Sequence, residues 1–203
     1  MLPYFLCFLT GYLVGSFPTG YLLVKRQSKI DIRQSGSGNV GAFNAGVVTG
    51  SKRIGLAVGI MDGVKGLIVT LGVFLWMPEF TAPAVALMSA VLGHNYPVWL
   101  RFKGGRGLAT ACGGMLLLSP GYVLVWCTLW AVLKWQKQTI LAANILAILA
   151  TPAVLWLVPA RFLEALLIFP GGAEHVRWLA VILSSLLVLS HLEAFKELKR
   201  KGV

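Results

Sequence analysis

The chain has 203 residues, of which 57% are hydrophobic and 12% charged, with a formal net charge of +11. A soluble domain of this size carries roughly twice that charged fraction, so a soluble enzyme or nucleic-acid-binding module is excluded. The basic residues lie between apolar runs, the distribution of positive-inside topology, and residues 1–203 read as a single integral membrane domain.

The first apolar run is Pro3–Val24. No basic region precedes it and no small-residue cleavage site closes it, so it does not read as a signal peptide. Its charges follow instead, at Lys25, Arg26, Lys29 and Arg33, which predicts an outside N-terminus and a cytoplasmic first loop. Gly15-Ser16-Phe17-Pro18-Thr19-Gly20 interrupts the run and reads as a kink or close-packing site, or as a groove for an acyl chain.

The loop after it runs from Ser35 to Asn44 and contains Gly36, Ser37, Gly38, Asn39 and Gly41. The string Gly36–Gly41 matches G-x-G-x-x-G, but a dinucleotide fold needs a preceding strand, and here a membrane helix precedes it. A flexible polar turn is one reading. The other is an anion cradle, built from backbone N–H groups and two serine hydroxyls.

Ile54–Met77 and Phe80–Leu100 follow as a hairpin joined near Pro78. Each is long enough to cross a bilayer, which takes about 20 residues. Asp62 and Lys65 lie three residues apart on one face of the first run; as costly intramembrane charges they are expected to pair with each other or with a ligand, the second role being to brace or line a polar site near the cytoplasmic end. The hairpin returns the chain to the cytoplasm, in agreement with the charges Arg101, Lys103 and Arg106, at a second glycine-rich loop, Gly93–Thr110, which carries His94, Lys103, Gly104, Gly105, Arg106 and Gly107. Lys103 and Arg106 add cations, and Gly107 opens the next helix, whose N-terminus favours an anion.

Leu108–Leu133, taken as one span, would put Lys134, Lys137 and the basic tail outside. A break at Ser119-Pro120-Gly121 removes that violation, because Pro and Gly both disfavour a helix interior. Thr139–Val158 and Val176–Ser190 complete the series, with a short interfacial helix expected at Arg161–Phe169. The expected fold is therefore an all-α polytopic membrane protein of about seven transmembrane helices. Its N-terminus is outside, its C-terminus is cytoplasmic, and both Gly-rich loops share the cytoplasmic face with His94 and His191. Cys7, Cys112 and Cys127 read as small core residues. No Ser-His-Asp spacing and no metal-ligand cluster is readable, so no metal and no cofactor is expected.

Gly36-Ser-Gly-Asn-Val-Gly-Ala42 followed by Asn44 resembles the first motif of the bacterial acyl-phosphate-dependent glycerol-3-phosphate acyltransferase family. Gly93-His-Asn-Tyr-Pro97 with Phe102-Lys-Gly-Gly-Arg-Gly-Leu-Ala-Thr110 resembles its second, usually written with Lys where Arg106 stands. The resemblance spans essentially the whole chain. It implies a multi-pass enzyme of the bacterial cytoplasmic (inner) membrane, active on the cytoplasmic side in phospholipid synthesis. The reaction implied moves an acyl group from acyl phosphate to the 1-hydroxyl of sn-glycerol 3-phosphate. Lysophosphatidic acid and phosphate result, with no covalent enzyme intermediate and no acyl-CoA, acyl-carrier protein or metal. The partners implied are acyl phosphate, glycerol 3-phosphate, membrane lipids and a functional link to an acyl-phosphate-producing enzyme. The catalytic group implied is Ser37, Asn39, His94, Lys103, Arg106 and His191. Substrate or phosphate binding falls to Ser35, Gly36, Gly38, Gly41, Asn44, Asp62, Lys65, Gly104, Gly105 and Gly107, with Asn39 and Asn44 either orienting the loop or touching substrate.

The chain departs from the pattern at Phe43, where Thr is common, and at Val47, where an Arg is common. It departs again at Leu192 and Ala194, within a third motif otherwise resembling His-Arg-Glu-Asn. These departures leave two alternatives: a non-catalytic relative that binds lipid or phosphate, and a small anion transporter.

Overall fold

A computed structural model describes residues 1–200, with side chains as far as Leu192. The side chains of Ala194, Lys196, Lys199 and Arg200, and the whole of Lys201, lie outside what is described. Every regular element among the described residues is helical. In chain order these are α1 (Leu2–Ser16), α2 (Thr19–Ser28), α3 (Ala42–Thr49), α4 (Lys52–Trp76) and α5 (Thr81–Asn95). Then come α6 (Leu108–Leu118), α7 (Pro120–Trp135), α8 (Ile140–Leu157), α9 (Ala160–Glu164) and α10 (Ala173–Arg200). Short 3-10 turns lie at Ile32–Gln34 and Val98–Leu100.

Among the described residues, four stretches are long and apolar enough to cross a membrane: Leu2–Ser28, Lys52–Trp76, Ile140–Leu157 and Ala173–Leu192. At 1.5 Å per residue, α5, α6 and α7 are shorter than a full hydrocarbon crossing of about 30 Å. The run expected at Phe80–Leu100 ends early, because Pro97 cannot donate to the helix ladder and its predecessor Tyr96 is pushed out of helical geometry (φ −128°). The break expected at Ser119 is present: the Ser119 side chain accepts from the Tyr122 N–H, and Pro120 opens α7. A short helix is present where one was expected at Arg161–Phe169: α9 starts one residue earlier, at Ala160, and ends at Glu164.

Small residues set the packing. On α1 and α5, a Cβ at Gly15 would fall 2.0 Å from the Ala90 carbonyl oxygen, and one at Gly93 would fall 2.2 Å from that of Tyr12. On α4 and α6, a Cβ at Gly66 would lie 1.9 Å from the Thr110 carbonyl oxygen. Backbones approach this closely where side chains are absent, the usual means of helix association in lipid. The apolar core runs between α5, α6, α7, α8 and α10, around Leu87, Met115, Leu118, Ile148, Leu155 and Leu183. Leu71, Leu75, Trp76, Leu149 and Ile182 stay exposed on the outside, as a lipid-facing surface requires.

The two ends of the bundle differ. At one end Tyr4 Oη donates to Glu79 Oε1 (2.8 Å), and Phe80 lies against His175. There Arg177 caps the last carbonyls of α8, donating to Val158 O at 2.9 Å. Both glycine-rich loops lie at the other end, where Leu100 packs with Ile32 and Val40 in one small core with Val24, Ala45 and Val58.

Candidate functional site

The first loop is held from inside by Asn44. Its carbonyl oxygen accepts from Ser37 N (3.0 Å), and its amide nitrogen donates to the carbonyls of Ile32, Ser35 and Asn39 at 3.3, 3.1 and 2.8 Å. The side chain is 3% exposed, so its hydrogen bonds serve loop orientation. Asn39 Oδ1 accepts from Gly41 N at 2.7 Å, an Asx turn that leads into α3. Gly36 sits at φ +59°, and a Cβ there would lie 2.3 Å from Asn44 Oδ1; the turn excludes any side chain. The hydroxyls of Ser35 and Ser37 make no hydrogen bond to the described residues and are half-buried at the loop surface.

Ahead of the loop, Asp31 accepts from Arg33 N at 3.0 Å and pairs with the Arg33 guanidinium at 2.8 Å. The guanidinium holds the Asp31 carboxyl below its ordinary value, and the carboxylate raises Arg33 in turn. A depressed carboxyl value means that the pair steadies this turn above the ordinary carboxylate range. That contribution is lost only as pH falls through the depressed value.

Beneath the loops lies a buried polar knot. Lys65 Nζ is 3.0 Å from Asp62 Oδ1 and donates to the carbonyls of Gly15 (3.3 Å) and Phe17 (3.0 Å). These are the carbonyls that the α1–α2 break releases, so the kink expected at Pro18 is satisfied by a neighbouring helix. Thr19 Oγ1 donates to Asp62 Oδ1. His94 Nδ1 stands 3.2 Å from Lys65 Nζ and 3.6 Å from Asp62 Oδ1. An ammonium has only protons to offer, so Nδ1 is the acceptor and the ring proton lies on Nε2. Asp62 and Lys65, at 2% and 7% exposure, brace the kink and hold His94, and Lys65 and His94 line a narrow cavity with Thr19, Val40 and Pro97.

The second loop folds back on that imidazole. Gly105 N donates to His94 O (2.9 Å) and Gly104 N to Asn95 O (3.1 Å). A Cβ at Gly105 would meet His94 Nε2 at 1.9 Å, which explains the paired glycines by close approach. Gly107, at φ +77°, precedes α6 against the buried Asn95 side chain. On the other side Ser190 Oγ donates to Arg106 O (3.2 Å), while His191 Nδ1 contacts Leu187 O (2.8 Å). Nε2 of the fully buried His191 and both amide atoms of Asn95 find no partner among the described residues. Buried polar atoms of this kind are normally satisfied.

The structure thus brings together Ser35–Gly41, Asn44, Lys103 and Gly104–Gly107 at one end, with His94 beneath them and His191 alongside Arg106. Between the two loops opens a cleft of about 490 Å³ lined by Arg33, Gln34, Leu100, Arg101 and Lys103. Sequence reasoning assigned Arg33 and Arg101 to topology alone; their shared cleft depends on Leu100 docking on Ile32, which no linear spacing reveals. Thr19 and Asn95 were missed for the same reason. Phe43 and Val47 are exposed on α3. No cluster of His, Cys, Asp or Glu able to hold a metal ion occurs among the described residues.

A family model described as glycerol-3-phosphate acyltransferase matches residues 5–201. The glycerol-3-phosphate acyltransferase of Methylorubrum extorquens is 39% identical over 181 residues, covering 84% of this chain and 86% of the relative. That of Syntrophotalea carbinolica is 37% identical over 158 residues, covering 77% and 80%. Among solved structures, the glycerol 3-phosphate form of PlsY, an integral membrane glycerol 3-phosphate acyltransferase, superposes with a TM-score of 0.78 at 28% identity. It covers 98% of this chain and 92% of that one. The lysophosphatidic acid form of the same enzyme gives 0.76.

Proposed function

The chain belongs to the glycerol-3-phosphate acyltransferase family and is a multi-pass membrane acyltransferase; from that premise we propose that its acyl donor is acyl phosphate and that transfer occurs at the two-loop end. The supporting observation is the convergence of the Ser35–Gly41 cradle with the cationic Lys103–Gly107 loop over buried His94. Both substrates carry phosphate, and this end supplies backbone N–H groups, hydroxyls and cations together.

Acyl phosphate is a mixed anhydride and already activated. The 1-hydroxyl oxygen of glycerol 3-phosphate attacks the acyl carbon, the new C–O ester bond forms, and the anhydride C–O bond breaks. Phosphate leaves with the electron pair, and one of its oxygens takes the hydroxyl proton. The protein's part is positioning and charge stabilisation. Ser35, Ser37 and the amides of Gly36–Gly41 hold one phosphate. Lys103 and Arg106 neutralise charge around the substrates. His94 and His191 place groups by hydrogen bonding, and the Asp62–Lys65 pair fixes the His94 ring. No step requires a metal, a cofactor or a covalent acyl-enzyme. In the same reading the two-loop end faces the cytoplasm and the membrane is the bacterial inner membrane.

The test is release of inorganic phosphate from acyl phosphate by purified protein in detergent. We expect release to depend on glycerol 3-phosphate and to fall at least about 10-fold in Ser37→Ala. Release that ignores glycerol 3-phosphate, or a Ser37→Ala variant with wild-type turnover, removes the assignment.

A further inference from the structure

Apart from Lys103, the residues lining the cleft between the loops are not used by the transfer chemistry above. Arg33 and Gln34 come from the turn ahead of the first loop, and Leu100, Arg101 and Lys103 from the turn ahead of the second. Arg101 and Lys103 are exposed and form no ion pair among the described residues. Arg33 is already fixed, gripped by Asp31 in two hydrogen bonds and lying 4.8 Å over the Tyr21 ring. Its rotamer is therefore set before any ligand arrives, which lowers the entropy lost on binding.

The backbone under Arg101 is also unusual. Arg101 and Phe102 are consecutive non-glycine residues in the left-handed region, at φ +55° and +62°. Such conformations are disfavoured and persist only where the surroundings hold them. Here Phe102 N donates to Pro97 O (2.9 Å) and Lys103 N to Leu100 O (3.2 Å). Trp99 is pinned through Nε1 to Ser16 Oγ at 3.0 Å. The coil sets Arg101 and Lys103 on the cleft, opposite Arg33, while Trp99 and Phe102 remain exposed beside it. Cations interleaved with exposed aromatics are the composition of a membrane–water interface.

We propose that this cleft is a phosphate-docking site, separate from the glycine cradle, that captures a terminal phosphate dianion at the membrane surface through Arg33, Arg101 and Lys103. It rests on the acyltransferase reading for its ligands, since the acceptor, the donor and the lipid product all carry a terminal phosphate. A volume of about 490 Å³ suits a small phosphomonoester. The two guanidiniums favour it over a carboxylate of equal charge, because a phosphate dianion offers three oxygens to paired N–H forks.

The experiment uses the full chain in detergent, with Arg101→Gln, Arg101→Lys and the double variant Arg33→Gln/Arg101→Gln. Thermal unfolding confirms that each is folded. Two readouts are taken: KM and kcat for phosphate release, and calorimetric binding of glycerol 3-phosphate without donor. If the docked phosphate is the soluble acceptor, Arg101→Gln raises KM for glycerol 3-phosphate about 10-fold with kcat within about twofold, and Arg101→Lys recovers most of it. If the phosphate belongs to a lipid, KM for acyl phosphate or inhibition by added lysophosphatidic acid weakens instead. Folded Arg101→Gln and double variants with unchanged KM for both substrates, unchanged product inhibition and unchanged binding overturn the site. A wild-type protein that binds glycerol 3-phosphate but releases no phosphate would remove the acyl-phosphate reading. The binding difference between wild type and Arg101→Gln would then still decide the cleft.

Discussion

Asn44 commits its whole amide to the first loop, so substitutions there separate geometry from chemistry. Asn44→Asp keeps the shape but replaces an amide that donates to three carbonyls with a carboxylate that repels them. Each buried carbonyl left without a partner costs about 1–3 kcal/mol. Asn44→Asp is therefore expected to lower the unfolding temperature at least as far as Asn44→Ala and to abolish phosphate release. A stable, active Asn44→Asp enzyme would show that the loop does not depend on this amide. Lys65 is tested by a pair of variants. Lys65→Met leaves the Asp62 carboxylate buried and uncompensated, at a cost of about 3–5 kcal/mol. The double variant Asp62→Asn/Lys65→Met removes that charge and should regain part of the thermal stability, though not the activity, since His94 loses its partner. A double variant no more stable than Lys65→Met argues against the pair as the source of the loss.

Among the elements, α4 and α6 show how packing carries the site. Gly66 faces the Thr110 carbonyl, whereas Gly72 is on the same helix with nothing within 4 Å of a built Cβ. Gly66→Ala must push α6 away, and α6 begins at the second loop; both unfolding temperature and turnover should fall. Gly72→Ala meets open space and gains the helix propensity of alanine, up to about 1 kcal/mol. It should unfold no earlier than wild type. Equal behaviour of the two variants, in melting and in phosphate release, would mean that the α4–α6 contact does not set the loop. The short helices α5 and α6 also follow from local chemistry, since Pro97 ends one and Pro120 begins the helix after the other.

At the scale of the whole molecule, a net charge of +11 and the two unlike ends bear on orientation. The proposed topology puts Lys52 inside and Arg161 outside. In a chain whose three cysteines are replaced by alanine, Arg161→Cys should react with a membrane-impermeant maleimide on intact cells. Lys52→Cys should react only after permeabilisation. The reverse pattern would invert the proposed topology and move the loops to the outer face.

Much of this was legible in the residues alone. The apolar runs fix an all-helical membrane protein, the glycines among Ser, Asn, Lys and Arg mark the two loops that meet at one end, and Pro120 marks the break between α6 and α7. These features are local: hydropathy, propensity and the missing N–H of proline act within a few residues. Tertiary structure decided what lies between segments far apart in the chain. It assigned Asn44 to the loop interior and Lys65 to the carbonyls freed at Pro18. It laid Gly105 on the His94 ring, and it turned Arg33 and Arg101 from topology charges into two walls of one cleft. The reason is that hydrogen-bond partners and close backbone approach depend on how helices cross, and the crossings were set by Gly15, Gly66 and Gly93 packing against residues dozens of positions away.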